Sequence, residues 1–345
     1  MPHPVFIMTS LGPIFADDLA RVKPGDRLRL TISAQTSDAA ALAQAALEAR
    51  ARGERVLVVC ADPADVPRLA QEMPWFEPKL DVRPLPDWET LPYDVLSPQE
   101  ELVSERLEAL YRLTAPTGGA DVLLTSAVTA SQRLSPVSYI GANTFFFHQG
   151  EQISLTTLQK RLAAAGYANV KQVLAAGEFA VRGSIVDVFP MGSERPFRLD
   201  FFDDEIESIR WFDVDTQRSM ESAEEIRLLP GHEFPVDPEA LLAFRQRWRR
   251  EFAGDPKKSI VYCDIEKEIL PPGIEYYLPL FFDETAALTD YLPPNARVFL
   301  LGDIEAALQA FGRDMASRYK VFAADPQRPA LAPERIWLKP EEFFK

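Results

Sequence analysis

A chain of 345 residues with 47% apolar, 10% aromatic and 26% charged side chains has ample material for a core, and at roughly 100 to 200 residues per domain it divides into two or three domains. No apolar run approaches the ~18 residues that span a bilayer, and no basic, then apolar, then small-residue leader opens the chain, so a cytoplasmic location is expected. The formal net charge of −15 argues against tight binding to DNA, a polyanion held mainly by Lys and Arg.

Leu28, Leu30 and Ile32 alternate as in a strand and lead into a helical pattern through LTISAQTSDAAALAQAALEA (30–49). A nucleotide-binding sheet carries its phosphate loop at such a passage. That loop needs glycines so that backbone N–H groups surround the phosphates, a lysine for their charge, and a Ser or Thr for magnesium. Residues 33–38, Ser-Ala-Gln-Thr-Ser-Asp, supply neither glycine nor lysine, and no Gly-Lys pair occurs anywhere. No ATP hydrolysis and no cofactor are expected.

Next, RVLVVCADPADVPRLAQEM (55–73) predicts a strand over Val56 to Val59, an Asp-Pro turn, and a helix with Val66, Leu69, Ala70 and Met73 on one face. A proline-rich loop from Leu85 feeds a helix with Leu102, Leu107 and Leu110 on its apolar face. DVLLTS, from Asp121, predicts a buried strand, with TASQRL (129–134) continuing as a helix start. Strands alternating with helices predict a parallel α/β sheet.

Around residue 145 the pattern changes. One helix is expected, with Ser154 as N-cap, Leu155, Leu158 and Leu162 on one face, and Gly166 as its stop. Strands follow without helices. FRLDFFDDEIESIRWFD alternates at Phe197, Leu199 and Phe201, turns at Asp203-Asp204, and returns through Ile206, Ile209 and Trp211, where the odd spacing of the two isoleucines implies a bulge. After Asp215 the helical style returns. Leu241, Phe244, Trp248 and Phe252 mark one helix face, ARVFLLGD (296–303) a strand, and Ile304, Leu308, Phe311 and Met315 another helix face. The expected organisation is a parallel-sheet α/β domain in two parts, 1–128 and 215–345, split by an inserted small α+β domain, 129–214. The insert carries eight Lys or Arg against ten Asp or Glu, which leaves −13 of the charge to the remainder.

Signals for chemistry are weak. Cys60 and Cys263 have no CxxC spacing, and the three histidines (His3, His148, His232) stand far apart, so no metal is expected. Phe201-Phe202-Asp203-Asp204-Glu205 and Phe281-Phe282-Asp283-Glu284 imitate a magnesium-holding acidic motif, but the first reads as a hairpin turn and the second as a strand end or loop following Pro279. There is no GxSxG elbow, and His232 sits in a proline-rich loop, PGHEFP. What remains is a recognition surface. In EFAVRGSIVDVFPMGSERPFR (178–198), Arg182, Arg195 and Arg198 accompany Phe179 and Phe189 on neighbouring strands, and Arg with aromatics is the pairing enriched at interface hot spots.

Three strings carry a family resemblance: LPDWETLPYD (85–94), RGSIVDVFPMGSERPFRLDFFDDEIESIRWFDVDTQRS (182–219) and PGIEYYLPLFF (272–282). They resemble the N-terminal, excinuclease-B-like region of the transcription-repair coupling factors, collinearly over about residues 10–345. The resemblance implies a degenerate P-loop helicase-like α/β domain, split by an inserted domain that docks excinuclease A. Of the docking motif, Arg182 and Phe189 match, with Arg195, Arg198 and Lys171 as secondary contributors; a basic residue expected in the YxxVxQV string is Ala168 here. The long tyrosine-rich hairpin of excinuclease B is shortened to 91–107 and keeps Tyr93 alone. The resemblance also implies RNA polymerase, duplex DNA and an intramolecular C-terminal domain as partners of a longer protein with a motor, of which this chain is a fragment. The alternative, from another class, is an ATP-dependent DNA-binding enzyme of the excinuclease B or helicase type, which the missing Gly and Lys at 33–38 disfavour.

Overall fold

The computed structural model describes residues 35–115 and 119–344. The strand expected at Leu28 to Ile32 lies outside them. Two α/β steps open the described chain: α1 (Gln35–Ala51) leads to β1 (Val56–Cys60), and α2 (Asp65–Phe76) leads to β2 (Val82–Pro84). After α3 (Glu100–Thr114), β3 (Val122–Ser126) is, like β1, buried at all five positions. A strand apolar on both faces belongs in a sheet covered on both sides. The short α4 (Ala127–Ala130) follows directly, with Ser126 capping its first turn by accepting from the Thr129 N–H at 3.1 Å.

Here the structure corrects the sequence reading. TASQRL does not continue as a helix: α4 ends at Ala130, and Gln132 and Leu134 instead form isolated bridges to Trp337 and Ala286. Pro136 lies two residues on, where a helix would need its N–H.

Past α5 (Val137–Ala142), the chain enters β4 (Phe145–His148) and α6 (Leu155–Ala164), whose N-cap Ser154 accepts from the Thr157 N–H at 3.2 Å. Then come β5 (Ala168–Asn169), β6 (Glu178–Arg182), β7 (Ile185–Val188), β8 (Phe197–Phe202), β9 (Glu205–Phe212) and β10 (Ser219–Ala223), which make a six-stranded sheet in the order β10-β9-β8-β7-β6-β5. The register of β8 with β9 slips between Asp200/Ser208 and Phe201/Ile206, which leaves Glu207 as the extra residue of the bulge. β11 (Glu225–Leu228) pairs antiparallel with β4, so the chain enters and leaves this region along one two-stranded ribbon.

Helices resume with α7 (Pro238–Glu251), capped by Asp237, and α8 (Ile260–Glu266). β12 (Arg297–Leu301) and α9 (Ile304–Phe322) follow, with the short α10 (Pro333–Ile336) and α11 (Pro340–Phe343) at the end. β12 lies parallel to β1, Val56 opposite Arg297, and completes a parallel sheet ordered β12-β1-β3-β2. The parallel sheet therefore takes strands from both sides of residues 145–228.

Alternation divides the packing. Val56, Val58, Val122 and Leu124 face α1 and α2, while Leu57, Val59 and Leu123 face α3 and α9. That second core runs without interruption into the six-stranded sheet through Phe179, Val186, Val188, Leu199 and Ile209. An aromatic core joins Trp88 and Tyr93 to α7, Tyr276, Tyr277 and Trp337. Tyr93, the tyrosine kept from the shortened hairpin, is buried here among Tyr276, Tyr319, Phe322 and Trp337 rather than displayed.

A buried ion pair fastens the junction of these parts. Arg106 of α3 is 0% exposed and donates Nε to Glu233 Oε1 at 2.6 Å and Nη2 to Oε2 at 3.1 Å. It also donates to the Pro86 carbonyl at 2.7 Å and the Gln132 side chain at 2.9 Å, and Trp88 Nε1 donates to Glu233 at 3.0 Å. With both partners hydrogen-bonded on several sides, the geometry is one in which buried charges are tolerated. Among the described residues no helix is long and apolar enough to cross a membrane.

Candidate protein-docking face

The six-stranded sheet buries one face and presents the other. β6 and β7 form a hairpin over Gly183-Ser184, with Gly183 at φ 64°, a left-handed conformation glycine adopts without strain. Register then aligns one row across the presented face: Ala180 beside Asp187, Asp187 beside Arg198, Arg198 beside Arg210, and Arg210 beside Ser222. Core positions Phe179, Val186, Val188 and Leu199 alternate with this row and point the other way.

The row holds a carboxylate that the sequence reading missed. Asp187 has a side chain only 1% exposed, although it lies on the outward face. Arg198 donates Nε to its Oδ1 at 2.6 Å and Nη2 to its Oδ2 at 2.9 Å, a two-pronged pair, while Arg182 at the end of β6 donates Nη2 to the same Oδ2. The two arginines differ in freedom. Arg198 is 14% exposed, reaches the Gln217 carbonyl at 3.1 Å and Ser219 Oγ at 3.2 Å, and lies 4.9 Å over the Phe212 ring. Its hydrogen bond to Asp187 raises its pKa above the ordinary guanidinium value. Arg182 is 50% exposed and bonds Asp187 through Nη2.

Beside this cluster, Val173, Ala180 and Phe212 form a small buried apolar cluster, with Val170 and Phe189 half-buried against it. Phe189 thus lies on the outward face while also touching the main core. Lys171 is exposed on the segment that contributes Val170 and Val173, and Leu174 of the same segment is 59% exposed. Glu178 anchors that segment by accepting from the N–H groups of Leu174 at 2.7 Å and Ala175 at 3.0 Å. Arg195 stands apart, exposed on the loop from β7 to β8. The other end of that loop is pinned inward, the Gly192 N–H donating to Ser104 Oγ of α3 at 2.7 Å. The structure therefore gathers Arg182, Arg198 and Phe189 around Asp187 and Phe212, holds Lys171 on the adjoining segment, and sets Arg195 on a separate loop. An aspartate in the middle of the apolar strand IVDV, between two arginine-bearing strands, was the available signal for Asp187.

Of the string 33–38, the structure describes α1 from Gln35. Asp38 is buried in the first turn of α1 and is held two-pronged by Arg68 of α2, at 3.0 and 2.8 Å. That pairing holds the Arg68 pKa above its ordinary value. The two acidic strings are accounted for locally: Asp203 and Asp204 make the two-residue turn between β8 and β9, and Asp283 lies in a loop paired with Arg247 at 2.7 Å.

A sheet face with half-free arginine and half-buried aromatic side chains, carried on a parallel α/β scaffold, defines the class as a protein-interaction domain and its support. Residues 145–234 match the family model described as the UvrB interaction domain. Over 290 residues the chain is 42% identical to the transcription-repair-coupling factor of Escherichia coli strain K12, covering 84% of this chain and 25% of that protein. It is 45% identical over 265 residues to the one of Haemophilus influenzae, covering 76% and 23%, and 32% identical over 216 residues to the one of Bacillus subtilis, covering 58% and 18%. The chain spans about a quarter of the length of the first of these relatives, and it corresponds to the N-terminal, UvrB-like region of the transcription-repair-coupling factors.

Proposed function

We propose that the region around the six-stranded sheet docks excinuclease A, bringing a repair complex to a transcription-repair-coupling factor in the cytoplasm, and that the parallel α/β part is a non-catalytic, helicase-derived scaffold. The observation that carries this reading is the outward face of residues 145–234, where Arg182 keeps half its surface free at one end of the β6–β7 hairpin and Phe189 lies half-buried at the other. Its support from the scaffold is the cluster at Asp38: one guanidinium, Arg68, is shared among Asp38 in the first turn of α1, Asp65 and Glu72, and the net negative charge left there repels a nucleotide phosphate rather than cradling it. RNA polymerase and duplex DNA are contacts that this reading leaves to other regions of the longer relatives.

Arg182→Ala is the decisive variant, because Asp187 retains both bonds from Arg198 and the sheet stays closed. Truncating an interface arginine typically costs ~2 kcal/mol or more, roughly a thirtyfold loss of affinity. Calorimetric titration of excinuclease A with the 345-residue chain should therefore show that loss with a nearly unchanged melting temperature. Parent-like binding by Arg182→Ala would move the docking face elsewhere.

A further inference from the structure

Asp187 sits on the docking face yet is 1% exposed, so it cannot itself touch a partner across more than a sliver of surface. Its surroundings are unusual for a buried carboxylate on a small sheet: two guanidinium groups, from β6 and from β8, converge on its two oxygens. Arg198 alone satisfies the carboxylate geometrically, through a two-pronged pair on the neighbouring strand. The second arginine is therefore surplus to neutralising the charge. Two guanidinium groups stand against this one carboxylate; Asp200, next along the same face of β8, acts on Arg198, and Arg182, the more exposed of the two arginines, holds its charge outward.

We infer that Asp187 is a positioning residue for docking: anchored by Arg198, it fixes the Arg182 guanidinium at the surface with its planar donors oriented for a carboxylate of the partner. An arginine on a hairpin end otherwise samples many rotamers, and ordering it on association costs affinity. Fixing it beforehand through a buried anchor removes part of that cost. The exposed positive charge of Arg182 selects an acidic group, and the planar guanidinium, not charge alone, selects its approach. Arg198 serves here as a counter-ion that keeps Asp187 in place, covered by Phe212 and by the Gln217 and Ser219 acceptors.

The inference rests on the docking reading above, and a double-mutant cycle separates the two. Affinity for excinuclease A is measured for the 345-residue chain and for Arg182→Ala, Asp187→Asn and the double variant, with melting temperatures in parallel. Asp187→Asn should weaken binding by about tenfold or more, within the range of interface hot spots, and should add little in the Arg182→Ala background, while its effect on the melting temperature persists there. A merely structural Asp187 would weaken binding equally in both backgrounds, which overturns the inference while the docking reading stands. If Arg182→Ala binds like the parent, the docking reading itself fails and takes the inference with it. Should Asp187→Asn not fold, Arg182→Lys decides: it keeps the charge but loses the planar fork, and is expected to bind no better than Arg182→Ala. Parent-like binding by Arg182→Lys would mean that charge alone suffices and would overturn the positioning role.

Discussion

At the scale of single residues, charge burial decides where the molecule is fragile. Arg106 and Glu233 are both essentially inaccessible and satisfy each other, so removing one leaves the other as an unpaired charge in the interior. Arg106→Ala should lower the unfolding free energy by about 3–5 kcal/mol, whereas a double variant Arg106→Met, Glu233→Gln, which buries no net charge, should lose clearly less. Chemical denaturation of both checks this; a single variant within about 1 kcal/mol of the parent would show that the pair is dispensable. Nothing in local spacing joins the two members of this pair, which are 127 positions apart. Of the five residues that residue type and family resemblance single out, Arg182, Arg198 and Phe189 fall on one face of the sheet, with Lys171 on the adjoining segment and Arg195 on a separate loop. The inequality of Arg182 and Arg198 was not legible. Which arginine is free and which is committed depends on Asp187, Gln217 and Phe212, contributed by three other stretches of chain.

At the scale of elements, the loop from β7 to β8 ties the six-stranded sheet to α3. Gly192 has φ 76°, and a Cβ there would fall 2.7 Å from Glu108 Oε2 of α3 and 2.7 Å from Leu229 Cδ1. The turn therefore requires glycine for its conformation and for the close approach. Gly192→Ala should destabilise by about 2–4 kcal/mol, from left-handed strain together with overpacking against α3. A melting temperature equal to that of the parent would mean that the loop detaches without consequence. Regular elements were the most legible part of the fold: the capped helix at Ser154, the turn at Asp203-Asp204 and the bulge beside Ile206 all follow from local chemistry. The misread element was TASQRL, whose helical start is stopped after one turn because distant segments, Ala286 and Trp337, compete for its backbone groups.

At the scale of the whole molecule, two part-buried titratable groups set opposite pH dependences. Burial lowers His232 from an ordinary 6.5 to about 4, and it raises Glu275 from 4.5 to about 7 against the opposing hydrogen bond from Ser97. The histidine contribution is fully present above pH 6.5 and is lost as pH falls toward 4. The glutamate contribution is fully present below pH 4.5 and is lost as pH rises through 7. Each is bounded at about 3 kcal/mol, so between these limits they largely offset and the parent's stability should vary little from this source. His232→Asn should make the protein relatively more stable on the acid side, and Glu275→Gln should steepen the acid loss between pH 6.5 and 4. Thermal melts across pH 4 to 8 test both, and identical profiles for the two variants would remove this account.

The sequence by itself determined the alternation of strands and helices, the change of style near residue 145, the family to which the motifs point, and the absence of glycine and lysine from residues 33–38. These are local properties, set by periodicity, caps and turn residues within about ten positions. Only the tertiary structure decided that β12 lies beside β1, with Arg297 opposite Val56, that Asp38 is locked to Arg68, that Tyr93 belongs to a core, and that Asp187 stands between two arginines. Most of these are contacts between segments far apart in sequence, and such contacts are selected by the burial of the assembled sheets, which no single stretch of chain encodes.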